Sequence, residues 1–350
     1  MASVRRGNLA ALPAATGAHK LKQTPFEGTG MIEHRIEGAS AWRRGDIGTE
    51  DYRVVLDGPC LDEIRRVVDE VRTHPLPTIL RTPADFDMTN CHAAMAQVRR
   101  ILKEGVRFAV VDRLPVEEMT KQEAETVYWL LASMVMRPVA QKLDGTMIYD
   151  VHDTGQQALP GSGIRPDKTN IEIRFHIDNA YNATPPEIVG LLCLRTAKSG
   201  GVSRVLSFHT VHNMLLERHP ELLPRLYEPF WFDRQKEFFP GEPETFFAPV
   251  FEAGKELRSR FSAHQINGGY KMRGEVLDNA GAAALAATLD VFEEPEVSID
   301  FEFAPGEIQF VDNRTLGHSR TEFEDWLEPE RRRHLVRLWL RDHGRRAYTG

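Results

Sequence analysis

Cysteine is scarce in this 350-residue chain, and the three that occur, Cys60, Cys91 and Cys193, lie far apart in the sequence. Such numbers and spacings rule out a disulfide framework, and Cys193 falls in the apolar run from Ile188 to Leu194, where a thiol packs as a small hydrophobe. A reducing cytoplasm is the expected location. No apolar run approaches the roughly 20 residues that cross a bilayer, so a soluble protein without membrane partners is expected. There is no basic excess either: 44 Lys and Arg against 51 Asp and Glu give a net charge of -7, which supplies no field for a phosphate backbone and disfavours nucleic acid. Small molecules are the expected ligands, with self-association left open. Acids are absent from Met1 to Phe26 while Arg5, Arg6, Lys20 and Lys22 are present, so residues 1–30 read as a flexible arm; a targeting segment is the lesser reading.

Hydrophobic patterning divides the rest into a helical first half and a strand-rich second half. Leu61, Ile64, Val67, Val68 and Val71 form one helical stripe, and a second helix spans Ala94 to Leu102, closed by Gly105. A short strand follows from Val106 to Val111, and Thr120 with Glu123 has the spacing of a capping box. From about residue 171, short apolar runs predict strands at Ile171 to His176, Ile188 to Leu194, Ser203 to Phe208, Val297 to Phe303 and Glu307 to Asp312. One helix is expected after His219, with Pro220 in its first turn, and an alanine-rich one from Ala282 to Glu293. The expected class is α+β, an antiparallel double sheet with a helical N-terminal portion and an insertion between core strands, and no linker divides residues 31–350 into two domains.

His176-Ile177-Asp178 puts an imidazole and a carboxylate on one face of an extended chain. The pattern is weak alone, since roughly two such matches arise by chance at this composition, and His219-Pro220-Glu221 is a second. His219 reads as structural at a helix start, whereas His176 ends a strand and leads into Asn179-Ala180-Tyr181-Asn182, a turn able to present ligands at the mouth of a barrel. Two histidines and one carboxylate on one face of an octahedral iron leave three positions for reactants, and His318, after the strand ending at Asp312, is the candidate third ligand. His264 and His334 are its rivals. A keto acid chelating that iron needs a cation for its far carboxylate, which suits the planar fork of arginine. Strand alternation would put Arg337, Trp339 and Arg341 on one face, yet Arg333, Arg337 and Arg341 also recur every four residues as on a helix, so both readings stay open.

These pieces occur in a recognisable order: His176-x-Asp178, then Pro185-Pro186 before an apolar strand, then Ser199-Gly200-Gly201-Val202-Ser203, then Asp312-Asn313-Arg314, His318 and a final arginine-rich strand. From Ile173 to Arg341 the chain resembles the taurine dioxygenase and 2,4-dichlorophenoxyacetate dioxygenase family, within the clavaminate synthase-like group. The resemblance implies a double-stranded β-helix, or jelly roll, in which His176, Asp178 and His318 bind Fe(II) and Arg337 pairs with the distal carboxylate of 2-oxoglutarate. Ser203 adds a hydroxyl, and Arg332, Arg333 and Arg341 compete for the arginine role. The implied activity is O2-dependent hydroxylation of an unactivated carbon in a small acid, amino acid or amine, with release of succinate and CO2; desaturation and ring closure use the same ligands. Arg341, Arg174, Asn179, Tyr181 and Gln157 are candidates for the substrate. The aromatic group Phe230, Trp231, Phe232, Phe238, Phe239, Phe246 and Phe247 reads as core packing or as a lid. Two competing functions are a zinc hydrolase with the same His/Asp/His set and a metal-free small-ligand binding protein; neither needs a buried carboxylate anchor.

Overall fold

The computed structural model describes residues 30–156 and 165–350. The expected N-terminal arm, apart from Gly30, and Gln157 lie outside the described residues.

Three helices form the first layer. Gly58–Thr73 opens where Asp57 accepts the Cys60 N–H at 2.9 Å, and it buries Ile64, Val67 and Val68, the predicted stripe. Thr89–Glu104 ends at Gly105. Lys121–Val135 opens on the predicted capping box: Thr120 Oγ1 accepts the Glu123 N–H at 3.3 Å, and Glu123 returns a carboxylate oxygen to the Thr120 N–H at 2.8 Å. Glu123 also accepts Arg72 Nε at 2.9 Å, joining the first helix to the third.

These helices cover one face of a seven-stranded sheet ordered Arg53–Val54, Phe108–Val111, Ile308–Asp312, Ile188–Arg195, His334–Leu340, Pro138–Val139, with Tyr149–Val151 also paired to His334–Leu340. The final arginine-rich segment is therefore a strand. Val336, Leu338 and Leu340 join the core under the helices, which turns Leu335, Arg337 and Trp339 to the opposite face. Opposite lies a four-stranded antiparallel sheet ordered Ser298–Phe301, Ser203–Ser207, Leu316–Arg320, Ile173–His176. The two sheets make the jelly roll, with side chains from both inner faces enclosed between them.

Neighbouring strands Ser203–Ser207 and Ser298–Phe301 are separated in sequence by residues 208–297. Sequence reasoning placed a helix after His219, where a single turn forms at Leu223–Leu226; the longer helix, Phe208–Arg218, precedes it, opened by Ser207 Oγ accepting the Thr210 N–H and terminated at His219. Pro220 follows that helix end, where the chain need not donate an N–H. The alanine-rich helix, Asn279–Phe292, begins three residues earlier than expected, because Asp278 accepts the Gly281 N–H at 2.7 Å. Ala263–Arg273 was not anticipated, since Gly268 and Gly269 argue against a helix; yet a Cβ on Gly269 would strike the backbone of Trp231, so the glycine lets helix and hairpin touch. That hairpin, Pro229–Asp233 with Thr245–Pro249, buries Phe230 and Phe232 completely and leaves Trp231 and Phe247 ring to ring at 4.2 Å. Most of the aromatic group is thus packing between elements, and none of the seven lines the cleft described below.

Gly190, buried in the centre of the large sheet, faces Tyr128 from the helix layer and Phe310 from the next strand, and a Cβ there would run into the Tyr128 hydroxyl. Gly190→Ala is expected to destabilise the fold by about 1–3 kcal/mol through overpacking, read from urea unfolding, and adding Tyr128→Phe is expected to recover part of the loss.

Candidate metal centre

Strands Ile173–His176 and Leu316–Arg320 run antiparallel with His176 directly opposite His318. Directly opposed residues share a face, so both rings project between the sheets, centroids 4.4 Å apart. Past His176 the chain turns at Asn179, whose φ of 58° is left-handed, a conformation asparagine tolerates. Asp178 is thereby folded under the two imidazoles, its Oδ1 3.5 Å from His176 Nε2 and 3.7 Å from His318 Nε2. One donor atom from each residue lies within 4.8 Å of the others.

The surroundings fix these three groups. Asp178 Oδ2 accepts the Trp339 indole N–H at 2.7 Å and lies 3.2 Å from Arg337 Nη1, so one oxygen is restrained and the other faces the histidines. Asn313, fully buried, holds the loop from behind: its Oδ1 accepts the Asp178 N–H at 2.8 Å, and its Nδ2 donates to Asp178 O at 3.0 Å and Pro186 O at 3.1 Å. His176 Nδ1 is hydrogen-bonded to Arg174 O at 2.9 Å, leaving Nε2 for the centre. Burial opposes ionisation of Asp178, but the Arg337 guanidinium and the neighbouring His176 and His318 rings outweigh it and hold the carboxyl well below its usual range. Burial, aided by the charge on His176, pushes His318 down from its ordinary value. A buried carboxylate facing an imidazole that resists protonation is the donor state a divalent cation requires, and the residues fit Fe(II).

The centre opens on a cleft of about 340 Å³ whose walls include Arg165, Asp167, Arg174, Asn179, His264 and Trp339. His264 lines this cleft without joining the donor cluster, and His334 is committed elsewhere, its Nε2 2.7 Å from Asp150.

A family model described as taurine catabolism dioxygenase TauD, TfdA family matches residues 72–339. The chain belongs to this family. Its relatives include FR-33289 synthase of Streptomyces rubellomurinus, 27% identical over 335 residues, covering 91% of this chain and 94% of that one. Among solved structures, an asparagine oxygenase in complex with Fe(II), 2S,3S-3-hydroxyasparagine and succinate superposes with a TM-score of 0.61 at 20% identity, covering 83% of this chain and 93% of the other. The non-haem iron oxygenase OrfP in complex with Fe, succinate and (3S)-hydroxy-L-Arg gives 0.58 at 12% identity, covering 83% and 94%. Both share the fold.

Within this TauD/TfdA domain the sequence-derived candidates fall into three groups. Arg337 sits beside the centre but is already engaged, 3.2 Å from Asp178, 3.3 Å from Asp167 and donating through Nε to Gln141 at 2.8 Å. Ser203, opposite Arg320 in the small sheet, and Arg333 are both buried between the sheets' ends, away from the cleft lining. Arg341 is turned to backbone carbonyls of Thr184, His343, Arg345 and Ala347, so it ties down the C-terminal segment and does not reach the cleft. Arg174 lines the cleft from an exposed position, and Tyr181 and Asn179 line it from buried positions, hydrogen-bonded to the Tyr348 hydroxyl at 3.1 and 3.0 Å. Sequence reasoning missed the support given by Trp339 and Asn313. Alternation with Arg337 carried the signal for Trp339, whereas Asn313 stood in the Asp-Asn-Arg motif with no role attached.

Trp339→Phe removes the indole N–H while keeping an aromatic ring in the core. It is expected to weaken Fe(II) binding about 10- to 100-fold in anaerobic titration, with little change in the far-UV circular dichroism.

Proposed function

We propose that His176, Asp178 and His318 hold Fe(II), and that a 2-oxoglutarate bound beside it is anchored by Arg333 and Ser203 in place of the Arg337 expected from sequence. The chain is an Fe(II)- and 2-oxoglutarate-dependent dioxygenase. When bound, iron and the keto acid supply the oxidising chemistry: O2 and 2-oxoglutarate yield succinate and CO2, and one oxygen atom enters a substrate C–H bond.

The charge distribution supports the change of anchor. Arg337 faces two carboxylates, and its guanidinium is held above its usual range against the effect of burial by Asp178 and Asp167. Arg333 and Arg320 are the reverse case. Both are buried and neither forms an ion pair among the described residues; burial pulls Arg333 down to about 10, and burial with the charge of Arg333 pulls Arg320 down to about 9. Arg333 Nη1, Arg320 Nε and Gln309 Nε2 are buried polar atoms without partners. Two neighbouring guanidinium groups with unused donors are costly unless an anion arrives. Strand geometry puts that anion at a suitable place: Arg320 and His318 are two residues apart on one face, about 6.7 Å, and Ser203 stands directly opposite Arg320. A five-carbon dicarboxylate with its keto end at the metal spans about that distance.

The cleft beyond the metal presents Arg165, Arg174 and His264 beside Asp167 and Glu172, so both signs of charge face the space where a primary substrate would lie. We read this as a site for a small zwitterion of amino-acid type, in keeping with the hydroxylated amino acids in the two solved relatives. Trp339 and Arg337 restrain Asp178, so the donor set that would hold the iron stays in one orientation beside the cleft. Residues 31–350 act as one domain, because the helix layer and the small sheet share the large sheet as their common partner; three scattered cysteines suit a reducing cytoplasm. Residues 208–297 form an insertion in the jelly roll, capping the small sheet's outer side.

Anaerobic addition of Fe(II) and 2-oxoglutarate is expected to give a weak visible charge-transfer band that is absent in His176→Ala, Asp178→Ala and His318→Ala. Persistence of the band in all three would overturn the ligand set. In the same titration Arg333→Ala is expected to weaken 2-oxoglutarate by about 2–4 kcal/mol while leaving Fe(II) affinity near wild type, and Arg337→Ala is expected to weaken Fe(II) first. Unchanged 2-oxoglutarate affinity in Arg333→Ala returns the anchor to Arg337.

A further inference from the structure

Far from the cleft, in the helix layer behind the large sheet, two cysteines that are 31 residues apart in sequence meet. Cys60 is the third residue of Gly58–Thr73 and Cys91 the third residue of Thr89–Glu104, so each stands in the first turn of its helix. Both are buried, at 1% and 0% exposure, and their Sγ atoms are 2.8 Å apart. That separation lies between an S–S bond, about 2.04 Å, and the ~3.5–4.0 Å at which unbonded heavy atoms pack.

The turns that carry the two thiols are held in place from outside the pair. Asp57 accepts the Cys60 N–H, and Glu63 accepts the N–H of Cys91 at 2.9 Å through one oxygen and both the N–H and side-chain amide of Asn90 through the other. Glu63 is therefore spent on capping the second helix. Although it lies with Cys60 and Cys91 in a group able to approach a metal, its oxygens already serve three donors, and the remaining two sulfurs fall short of the four ligands a structural zinc site takes. The third cysteine, Cys193, is buried among Tyr149, Val151, Phe303 and Leu335 between the sheets, in a separate part of the core.

We propose that Cys60 and Cys91 are a redox pair, a dithiol that hydrogen peroxide oxidises to a disulfide stapling the first two helices together. In that step the two S–H bonds break, one S–S bond forms, and the peroxide O–O bond is cleaved to give two waters. The dithiol supplies the two electrons and two protons. Burial makes the reaction slow, since an oxidant reaches the sulfurs only when the first turns open; preset sulfur positions make it specific, because no rearrangement of the helices is needed once it does. The cross-link closes a loop across the surface segment between the helices and so restricts the unfolded chain.

The full-length protein is treated with hydrogen peroxide for hours at 25–37 °C, unfolded in the presence of iodoacetamide, digested and mass-mapped. The expected result is a peptide linking Cys60 to Cys91, two mass units below the sum of its parts, with Cys193 alkylated; prior tris(carboxyethyl)phosphine treatment restores three alkylated cysteines. The oxidised protein is expected to melt about 4 °C above the reduced one, a difference that vanishes in Cys60→Ser and in Cys91→Ser. Three alkylated cysteines after peroxide, or sulfinic acid on Cys60 or Cys91 in place of a link, would overturn the proposal. So would stoichiometric zinc in the purified protein that both serine variants lose, which would make the pair a metal site. Should a serine variant fail to fold, the wild-type peptide map still decides.

Discussion

The molecule is organised around a carboxylate that has been taken out of water. Asp178 is buried, and an ionised carboxylate in that position is tolerated only if positive charge and hydrogen-bond donors surround it. Arg337 and Trp339 from the large sheet supply one oxygen's partners, and His176 and His318 from the small sheet face the other. The two sheets therefore meet electrostatically at one side chain. That dependence explains why the strands bearing these four residues converge there, and why the loop after His176 is clamped through its backbone by Asn313.

A second charge imbalance complements the first. Around Asp178 the positive and negative groups are matched and await only a cation shared among three donors. Around Arg320 and Arg333 they are not matched, and Arg320 Nε and Arg333 Nη1 are buried without partners among the described residues. Under the proposed function, these two places, one pleat repeat apart along Leu316–Arg320, are the footprint of a chelating dicarboxylate beside a metal.

Much of this was legible in the sequence. The stripe on the first helix, the capping box at Thr120 and the short strand ending at His176 were set by local periodicity and local side-chain chemistry, and they formed where expected. Motif order identified the family because the spacing of several weak signals is far more restrictive than any one of them. What stayed illegible depended on contacts between distant segments. The helix Phe208–Arg218 was missed because the Ser207 hydroxyl that caps it looks no different from one that lines a sheet. The helix Ala263–Arg273 was missed because it has little apolar periodicity, and its Gly269 allows the close approach to Trp231. Alternation gave Arg337 a face but could not say that Asp178 and Asp167 lie against its guanidinium. The cysteines, dismissed as too far apart, are brought together by two helices whose packing no spacing rule contains.

The central claim concerns where a single ferrous ion sits. Crystals grown anaerobically with Fe(II) and 2-oxoglutarate, with diffraction recorded on both sides of the iron absorption edge, test it most directly. One anomalous peak within bonding distance of His176 Nε2, Asp178 Oδ1 and His318 Nε2 is expected, with the keto acid's far carboxylate against Arg333. A peak elsewhere, or bonding that leaves out any one of these three residues, would contradict it.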